Sequence, residues 1–294
     1  MRKKIIGNLL LLLSAMIWGS AFVAQSVGME YIGPLTFNAS RSLLGGITLL
    51  PVVFLLSRQK KPSPQTRKAT WQGGLLCGAV LFFASTLQQV GIQYTTVGKA
   101  SFITTLYIII VPVLGLLFKK RVPFLVWVAV AFSTIGLYLL CIQENFTIDK
   151  GDQLILGCAF LFSIHILVID RFAGKADAIA MSCIQFFVAG VLSSLCALLF
   201  ETVSISALRS TWVTIAYAGI LSSGVAYTLQ VVAQKDTDPT VASLLLSLES
   251  IFGALSAILF LGESFTLKEG VGMLCMLCGV ILAQLPPSGM KEKA

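Results

Sequence analysis

Charge is scarce in this sequence, and its scarcity narrows the class of protein. Only 12% of the 294 residues are Asp, Glu, Lys or Arg, whereas 56% are hydrophobic. The charged share is about half of that in a typical soluble domain, and the mean hydropathy is +0.90. Such a composition argues against a water-soluble enzyme, a disordered chain and a disulfide-rich secreted module. It predicts an all-α integral membrane protein.

Motifs for catalysis and cofactor binding are also missing from the sequence. It contains one His, no H-E-x-x-H, no paired intramembrane aspartates and no G-x-x-x-x-G-K-[ST] nucleotide loop. The seven Cys lie in or at the edges of apolar runs, and the one C-x-x-C pair, Cys275 and Cys278, has no His or second pair nearby. We therefore expect no enzymatic activity, no cofactor and no metal site.

The net charge of +8 could indicate a nucleic-acid partner, but the placement of the charges does not. Lys and Arg fall in short clusters between apolar runs, as in loops beside anionic lipid headgroups. The expected partners are thus the lipid bilayer and a small-molecule substrate, with no nucleic acid. The sequence leaves the oligomeric state open.

Ten apolar runs are long enough to cross about 30 Å of hydrocarbon as helices. They cover residues 5–27, 34–57, 71–93, 98–118, 123–142, 152–170, 178–200, 211–234, 239–261 and 266–285. Pro and Gly mark many of their boundaries. The first run follows three basic residues but is longer than the apolar region of a signal peptide, so we expect it to be a retained helix.

The distribution of Lys and Arg predicts the orientation. With the N-terminus in the cytoplasm, sixteen of the 21 Lys and Arg fall on the cytoplasmic side and four on the other, while Arg41 lies inside a span. This bias follows the positive-inside rule. We expect a cell-membrane protein with both termini cytoplasmic and residues 286–294 as a cytoplasmic tail.

The two halves of the chain resemble each other at a shift of 142 to 144 residues. Arg41 aligns with Gln185, Gln88 with Gln230 and Gly136 with Gly279. Because five helices is an odd number, the second copy must enter the membrane from the opposite side. The sequence predicts two inverted five-helix repeats, 1–142 and 152–285, around a central cavity. Inverted repeats recur in secondary carriers, which favours transport over mere duplication.

Several segments then carry a resemblance to a known family. They are residues 17–23 and 38–44, residues 98–104 with Val111-Pro112, residues 247–250 with Gly262-Glu263, and Gly272 with Gly279. On these segments the chain resembles ten-helix members of the EamA family in the drug/metabolite transporter superfamily. The resemblance implies a cavity lined mainly by the first, third, fourth, sixth, eighth and ninth spans. It also implies export, exchange or uptake of small metabolites.

Polar and aromatic side chains inside the spans are the candidates for substrate binding, since such residues usually face the bundle interior. They are Trp18, Gln88, Gln89, Lys99, Tyr107, His165, Tyr227, Gln230 and Glu249. Each has a structural alternative: interhelical bonds for the amides and the His, packing for the aromatics, and a headgroup contact for Lys99. Glu249 is also the proton-coupling candidate, unless it is a neutral acid bonded to another helix.

Two further residues are expected to be structural. Arg41 lies inside a span and keeps its proton, so it needs either a partner or a snorkelling route to the membrane surface, and the resemblance places it away from the central cavity. Pro112 interrupts the fourth span, where it would free a backbone carbonyl and produce a kink.

Together these features predict a secondary transporter, either an exporter or a facilitator, that works by alternating access. Its substrates would be small organic metabolites such as amino acids or related amphipathic solutes. The alternatives are an uptake carrier for a metabolite or vitamin and, third, a membrane receptor or scaffold that transports nothing.

Overall fold

The computed structural model describes residues 2–59, 62–95, 97–117, 122–141, 149–261 and 266–285, and every regular element in these ranges is helical. The predicted tail, 286–294, lies outside them. The helices are α1 (Arg2–Gly28), α2 (Pro34–Gln59), α3 (Pro64–Ile92), α4 (Val97–Thr105), α5 (Tyr107–Leu117), α6 (Phe124–Cys141), α7 (Lys150–Ala173), α8 (Ala178–Phe200), α9 (Ile205–Ser210), α10 (Trp212–Ala216), a π-helical segment (Tyr217–Ala226), α11 (Tyr227–Ala233), α12 (Pro239–Leu246), α13 (Glu249–Leu261) and α14 (Leu267–Gln284).

Local sequence explains where many of these helices begin. Pro34, Pro64 and Pro239 each occupy a first helical position, where the missing N–H costs no hydrogen bond. Side chains also satisfy free backbone N–H groups: Asp177 accepts from two amides at the start of α8, and Thr266 forms a capping box with Glu269 at the start of α14.

Nine helical segments within the described ranges are long and apolar enough to cross a membrane. In the remaining predicted segment, the apolar stretch of α6, Phe124–Leu140, is shorter than these nine. The chain is thus a multi-pass membrane protein, as its composition predicted. The count of ten crossings stays a prediction.

Two of the predicted spans are broken at equivalent positions. The fourth breaks at Leu106, between α4 and α5, and the ninth breaks at Ser247 and Leu248, between α12 and α13. Pro112 was expected to cause the interruption, but it lies inside α5. Because Ala254 stands at the corresponding position of α13, the second break forms without a proline.

The eighth predicted span is not a uniform α-helix either. Its central part, Tyr217–Ala226, is π-helical and contains Gly219, Gly224 and a Ser pair. The corresponding stretch of the first repeat lies within the uninterrupted helix α3. This difference matters because π-helical turns are rare and frequently occur at functional sites.

The close contact between α6 and α14 shows how the two halves are related. A Cβ at Gly136 would lie 2.5 Å from the carbonyl oxygen of Gly272 and 2.6 Å from the amide of Met276, whereas one at Gly279 would lie 2.7 Å from the carbonyl oxygen of Ala129. A shift of 143 residues turns Gly136 into Gly279 and Ala129 into Gly272, so the two contacts are equivalent when the halves are exchanged. Contacts that advance along α6 move backwards along α14, so the helices are antiparallel and related by a two-fold axis.

Helices α2 and α8 repeat this arrangement. Gly46 faces Phe187, and Gly190 faces Leu43, so exchanging the halves at an offset of 144 turns one contact into the other. The same exchange of halves relates other contacts. The packing of α3 on α7 corresponds to the packing of α1 on the π-helical segment and α11. The predicted fold, two inverted repeats in an all-α membrane protein, is confirmed.

Candidate functional site

A cavity lies between the two repeats. Its lining mixes aromatic, aliphatic and polar side chains. The residues are Trp18, Ala21, Phe22, Gln25, Arg41, Gln88, Thr104, Tyr107, Phe162, His165, Ile166, Ser222, Tyr227, Gln230, Leu246 and Glu249. Apart from Arg41, they come from the six spans that the resemblance implied.

The lining itself follows the repeat. Twelve of the sixteen residues form six equivalent pairs at offsets of 142 or 144. The pairs are Trp18 with Phe162, Ala21 with His165, Phe22 with Ile166, Gln88 with Gln230, Thr104 with Leu246, and Tyr107 with Glu249. The two halves therefore contribute matching walls, and the pseudo-two-fold axis passes through the cavity.

Tyr107 and Glu249 meet at the two helix breaks. Tyr107 is the first residue of α5 and Glu249 the first of α13, and the Tyr107 hydroxyl donates a hydrogen bond of 2.9 Å to Oε1 of Glu249. Both side chains are buried. The breaks thus place an acid at a helix N-terminus, where the helix dipole favours a carboxylate, and give it a neutral donor from the other repeat.

Aromatic rings form one side of the cavity. The indole Nε1 of Trp18 donates to the carbonyl oxygen of Ser222 in the π-helical segment, at 3.2 Å. The Trp18 ring lies 4.5 Å from that of Tyr227, whose edge contacts also include His165 and Phe186. These contacts fix the rings, so a bound solute meets a preformed apolar surface.

The matched amides Gln88 and Gln230 both line the cavity, but their surroundings differ. Gln88 Nε2 donates to the hydroxyl of Thr104 at 3.3 Å. In the second repeat, Leu246 stands in the place of Thr104, and Oε1 of Gln230 is buried without a hydrogen-bond partner. A buried unpaired acceptor is costly, so Gln230 is the amide better placed to receive a hydrogen bond from a solute.

His165 lines the cavity and is also tied to the protein. Its Nε2 lies 3.0 Å from Oε1 of Gln185 on α8, and both residues are buried. The interhelical bond that the sequence analysis gave as the structural alternative is therefore present. It orients the ring without removing it from the cavity wall.

Arg41 lies in the cavity lining, which corrects the expectation that it is remote. It is only 7% exposed. Its Nη1 donates to Gln25 Oε1 at 3.0 Å, and its guanidinium carbon lies 5.9 Å from the ring centroid of Phe37. Its equivalent, Gln185, bonds to α7 in the same way that Arg41 bonds to α1, but the longer Arg side chain also reaches the cavity.

Two other predicted substrate-binding residues are not placed in the lining. Gln89 is fully buried elsewhere, and both of its amide atoms lack a hydrogen-bond partner. The physical reason is helical geometry, because Gln88 occupies the cavity face and the next residue points about 100° away from it. The side chain of Lys99 lies outside the described part of the structure.

Sequence reasoning missed the lining residues Gln25 and Thr104. Gln25 follows Trp18 by seven residues, with Ala21 and Phe22 between them, so all four share one helix face. Thr104 precedes Tyr107 by three residues. Helical periodicity from the predicted aromatic residues would have found both. In the part of the chain that the structure describes, no three His, Cys, Asp or Glu approach closely enough to hold a metal ion.

Comparison with known proteins decides the family. The model of the EamA-like transporter family matches residues 5–142 and again residues 149–285. The chain belongs to the EamA-like transporter family. It therefore is a member of a family of membrane transporters, and it carries the family's domain in each half.

Relatives of similar sequence are also named as transporters. The chain is 28% identical over 284 residues to an "Uncharacterized transporter" of Archaeoglobus fulgidus, covering 96% of this chain and 87% of the relative. It is 25% identical over 301 residues to "Uncharacterized transporter YwfM" of Bacillus subtilis (strain 168), with 97% and 95% covered. A solved crystal structure has the same fold, with a TM-score of 0.78, 17% identity, and coverage of 95% and 96%.

Proposed function

We propose that this EamA protein is a secondary transporter of small organic metabolites, such as amino acids or related amphipathic solutes, across the cell membrane. The observation that carries the proposal is the cavity between the two antiparallel repeats. Its lining of aromatic and aliphatic side chains with a few polar groups is typical of sites for small organic ligands. Its rings suit the apolar part of an amphipathic solute, and its amides and charged groups suit the polar part.

Alternating access is the mechanism that this symmetry favours. Two repeats related by an axis through a shared site can rock so that the site opens first to one side and then to the other. We take 1–142 and 152–285 as the rocking units, with both termini in the cytoplasm. The breaks at Leu106 and at Ser247 and Leu248 are suitable hinges because they interrupt helices beside the cavity.

The predicted binding residues receive specific roles in this mechanism. Trp18 and Tyr227 stack on the apolar part of the solute, while Gln88, Gln230 and His165 orient its polar groups. Tyr107 holds Glu249 at the centre. Glu249 couples solute movement to a proton, because it is the one carboxyl group that the described residues contribute to the lining. Gln89 and Lys99 are assigned no role at the cavity.

Reconstitution into liposomes tests the proposal. Purified protein is incorporated into vesicles loaded with a panel of metabolites, and solute movement is measured with and without an imposed pH gradient. We expect saturable flux of at least one small amphipathic metabolite, absent from protein-free vesicles. The direction of gradient-driven flux in vesicles of known protein orientation separates an exporter from an uptake carrier.

The matched control is Gly174→Ala, because a Cβ at Gly174 would meet nothing within 4 Å. It should transport like the native protein. Trp18→Ala, in the cavity wall, should transport poorly while remaining folded. If the protein binds metabolites but transports none of them, the result would contradict the proposal and favour the receptor alternative.

A further inference from the structure

The cavity wall contains a buried cation whose contacts in the protein are not acidic. The guanidinium of Arg41 contacts the neutral amide of Gln25 and the ring of Phe37. No Asp or Glu of the described residues forms an ion pair with it. Since Arg keeps its proton in proteins and a buried charge is costly without an opposite charge, the site favours an anion at this position.

The one carboxyl group that the described part of the chain places in the lining is engaged elsewhere. Glu249 accepts its hydrogen bond from Tyr107, on the pseudo-two-fold axis. Arg41 reaches the cavity from α2, which packs outside the six lining spans against α8. The two charged groups are therefore separate features of one cavity, not an internal salt bridge.

We propose that Arg41 binds a carboxylate group of the transported solute, so that the cavity selects carboxylate-bearing solutes. This inference rests on the proposed transport function and names its substrate class. A guanidinium has five N–H donors in a planar fork that fits a carboxylate with two parallel hydrogen bonds. One nitrogen, Nη1, already donates to Gln25, which holds the fork in place.

The rest of the lining accommodates the other parts of such a solute. The unpaired Oε1 of Gln230 accepts a hydrogen bond from an amino or hydroxyl group. The rings of Trp18 and Tyr227 contact the apolar part. The cavity therefore combines the Arg41 guanidinium for a carboxylate, the Gln230 oxygen for a hydrogen-bond donor, and an aromatic wall for an apolar group.

Matched probes test the inference, because they differ in charge but hardly in size. The probes are phenylacetate, phenylacetamide and 2-phenylethylammonium, with L-leucine and L-leucinamide as a second set. Binding to the full-length protein in detergent is measured by calorimetry. We expect the native protein to bind phenylacetate about 10- to 100-fold more tightly than the amide, the usual range for a hydrogen-bonded charged group, and the ammonium more weakly still.

Three variants separate anion binding from a structural role of Arg41. Arg41→Gln should remove the preference for the acid while leaving the affinity for phenylacetamide within about threefold. Arg41→Lys should keep the preference in weaker form, because the charge remains but the planar fork is lost. Gln25→Leu breaks the same internal hydrogen bond but keeps the cation, so the preference should persist. Circular dichroism checks that each variant is folded.

Two binding results would overturn the inference. One is equal affinity of the native protein for the acid and the amide, and the other is a folded Arg41→Gln protein that still prefers the acid. Transport is measured separately in vesicles. Flux that does not depend on a carboxylate would reject the inference but keep the transporter. An Arg41-dependent preference for the acid without any flux would keep the inference about carboxylate binding but reject the transport function.

Discussion

The hydroxyl of Tyr107 donates a 2.9 Å hydrogen bond to Glu249, its own equivalent 142 residues later in the other repeat. Equivalent residues can touch only beside the symmetry axis, so this bond marks the centre of the cavity. Two identical residues there would form a symmetric pair. Divergence to Tyr and Glu instead leaves one acid, held by one neutral donor, at the point where both repeats meet.

Glu249→Gln should uncouple transport from the proton gradient. The amide oxygen can still accept the bond from Tyr107, but the side chain no longer takes up or releases a proton. We expect accumulation driven by an imposed pH gradient to be lost, while exchange of labelled for unlabelled solute stays within about threefold of native. Vesicle assays of both activities on one preparation make this comparison.

Tyr107→Phe serves as the matched control for that variant. It removes the hydrogen bond and keeps the carboxyl group, so coupling should survive with a changed pH profile. A Glu249→Gln protein that still concentrates solute against a gradient would show that Glu249 is not the coupling group.

The features of the fold and the site that could be predicted are those that a short stretch of sequence encodes. Helix starts at Pro34, Pro64 and Pro239 follow from the missing N–H of proline, and apolar length indicates the spans. The cavity positions of Trp18, Tyr107 and Glu249 follow from the cost of burying polar groups in lipid. The inverted relation follows from the 142- to 144-residue offset.

Other features depend on packing that no single segment encodes. Gln88 and Gln89 are chemically identical, and only the rotation of α3 decides which faces the cavity. Arg41 reaches the cavity from α2 through its long side chain, because α2 packs against α8 and the π-helical segment, an arrangement that the sequence does not contain. The π-helical turns around Ser222 and the break at Leu248, which has no proline at the position equivalent to Pro112, were not predicted from the sequence either.

The unequal surroundings of the two matched glutamines lead to a second prediction. Gln230→Leu removes an acceptor that has no partner in the protein, so a solute donor would lose its bond. We expect a loss of about 5- to 20-fold in affinity, equivalent to about one neutral hydrogen bond. Gln88→Leu should have a smaller effect on affinity, since Gln88 is bonded to Thr104. Isothermal titration of a transported solute measures both, and the reverse order would contradict the assignment.

The crossing of α6 and α14 should tolerate no larger side chain. A Cβ at Gly279 would lie 2.7 Å from the carbonyl oxygen of Ala129, which is backbone and cannot rotate away. Gly279→Leu should therefore separate the helices and cost about 1–3 kcal/mol or more, as overpacking does. Thermal unfolding in detergent should show a clearly lower midpoint, whereas Gly174→Ala, in open space, should match the native protein. Equal midpoints for the two variants would refute the contact.

Glu201 joins the two repeats through the start of α2, and its removal should destabilise the protein. It follows α8, and its carboxylate accepts from the amides of Leu35 and Thr36, both at 2.8 Å, and from the hydroxyl of Thr36 at 2.7 Å. An acid at a helix N-terminus satisfies free N–H groups and complements the helix dipole. Glu201→Ala should cost about 1–2 kcal/mol, the usual value of such a cap, and lower the unfolding midpoint.

The control for Glu201 is another cap within the same connection between spans. Ser204 accepts a long hydrogen bond, 3.4 Å, from the amide of Ala207 at the start of the short helix α9, and its hydroxyl also lies 2.8 Å from that of the exposed Ser206. Ser204→Ala should leave the midpoint nearly unchanged, because α9 packs little against the bundle. Glu201→Gln keeps an acceptor oxygen and should fall between the two. If Glu201→Ala unfolds at the native temperature, the cap does not hold the repeats together, and packing such as the contact of α2 with α8 along Gly46 and Gly190 is enough without it.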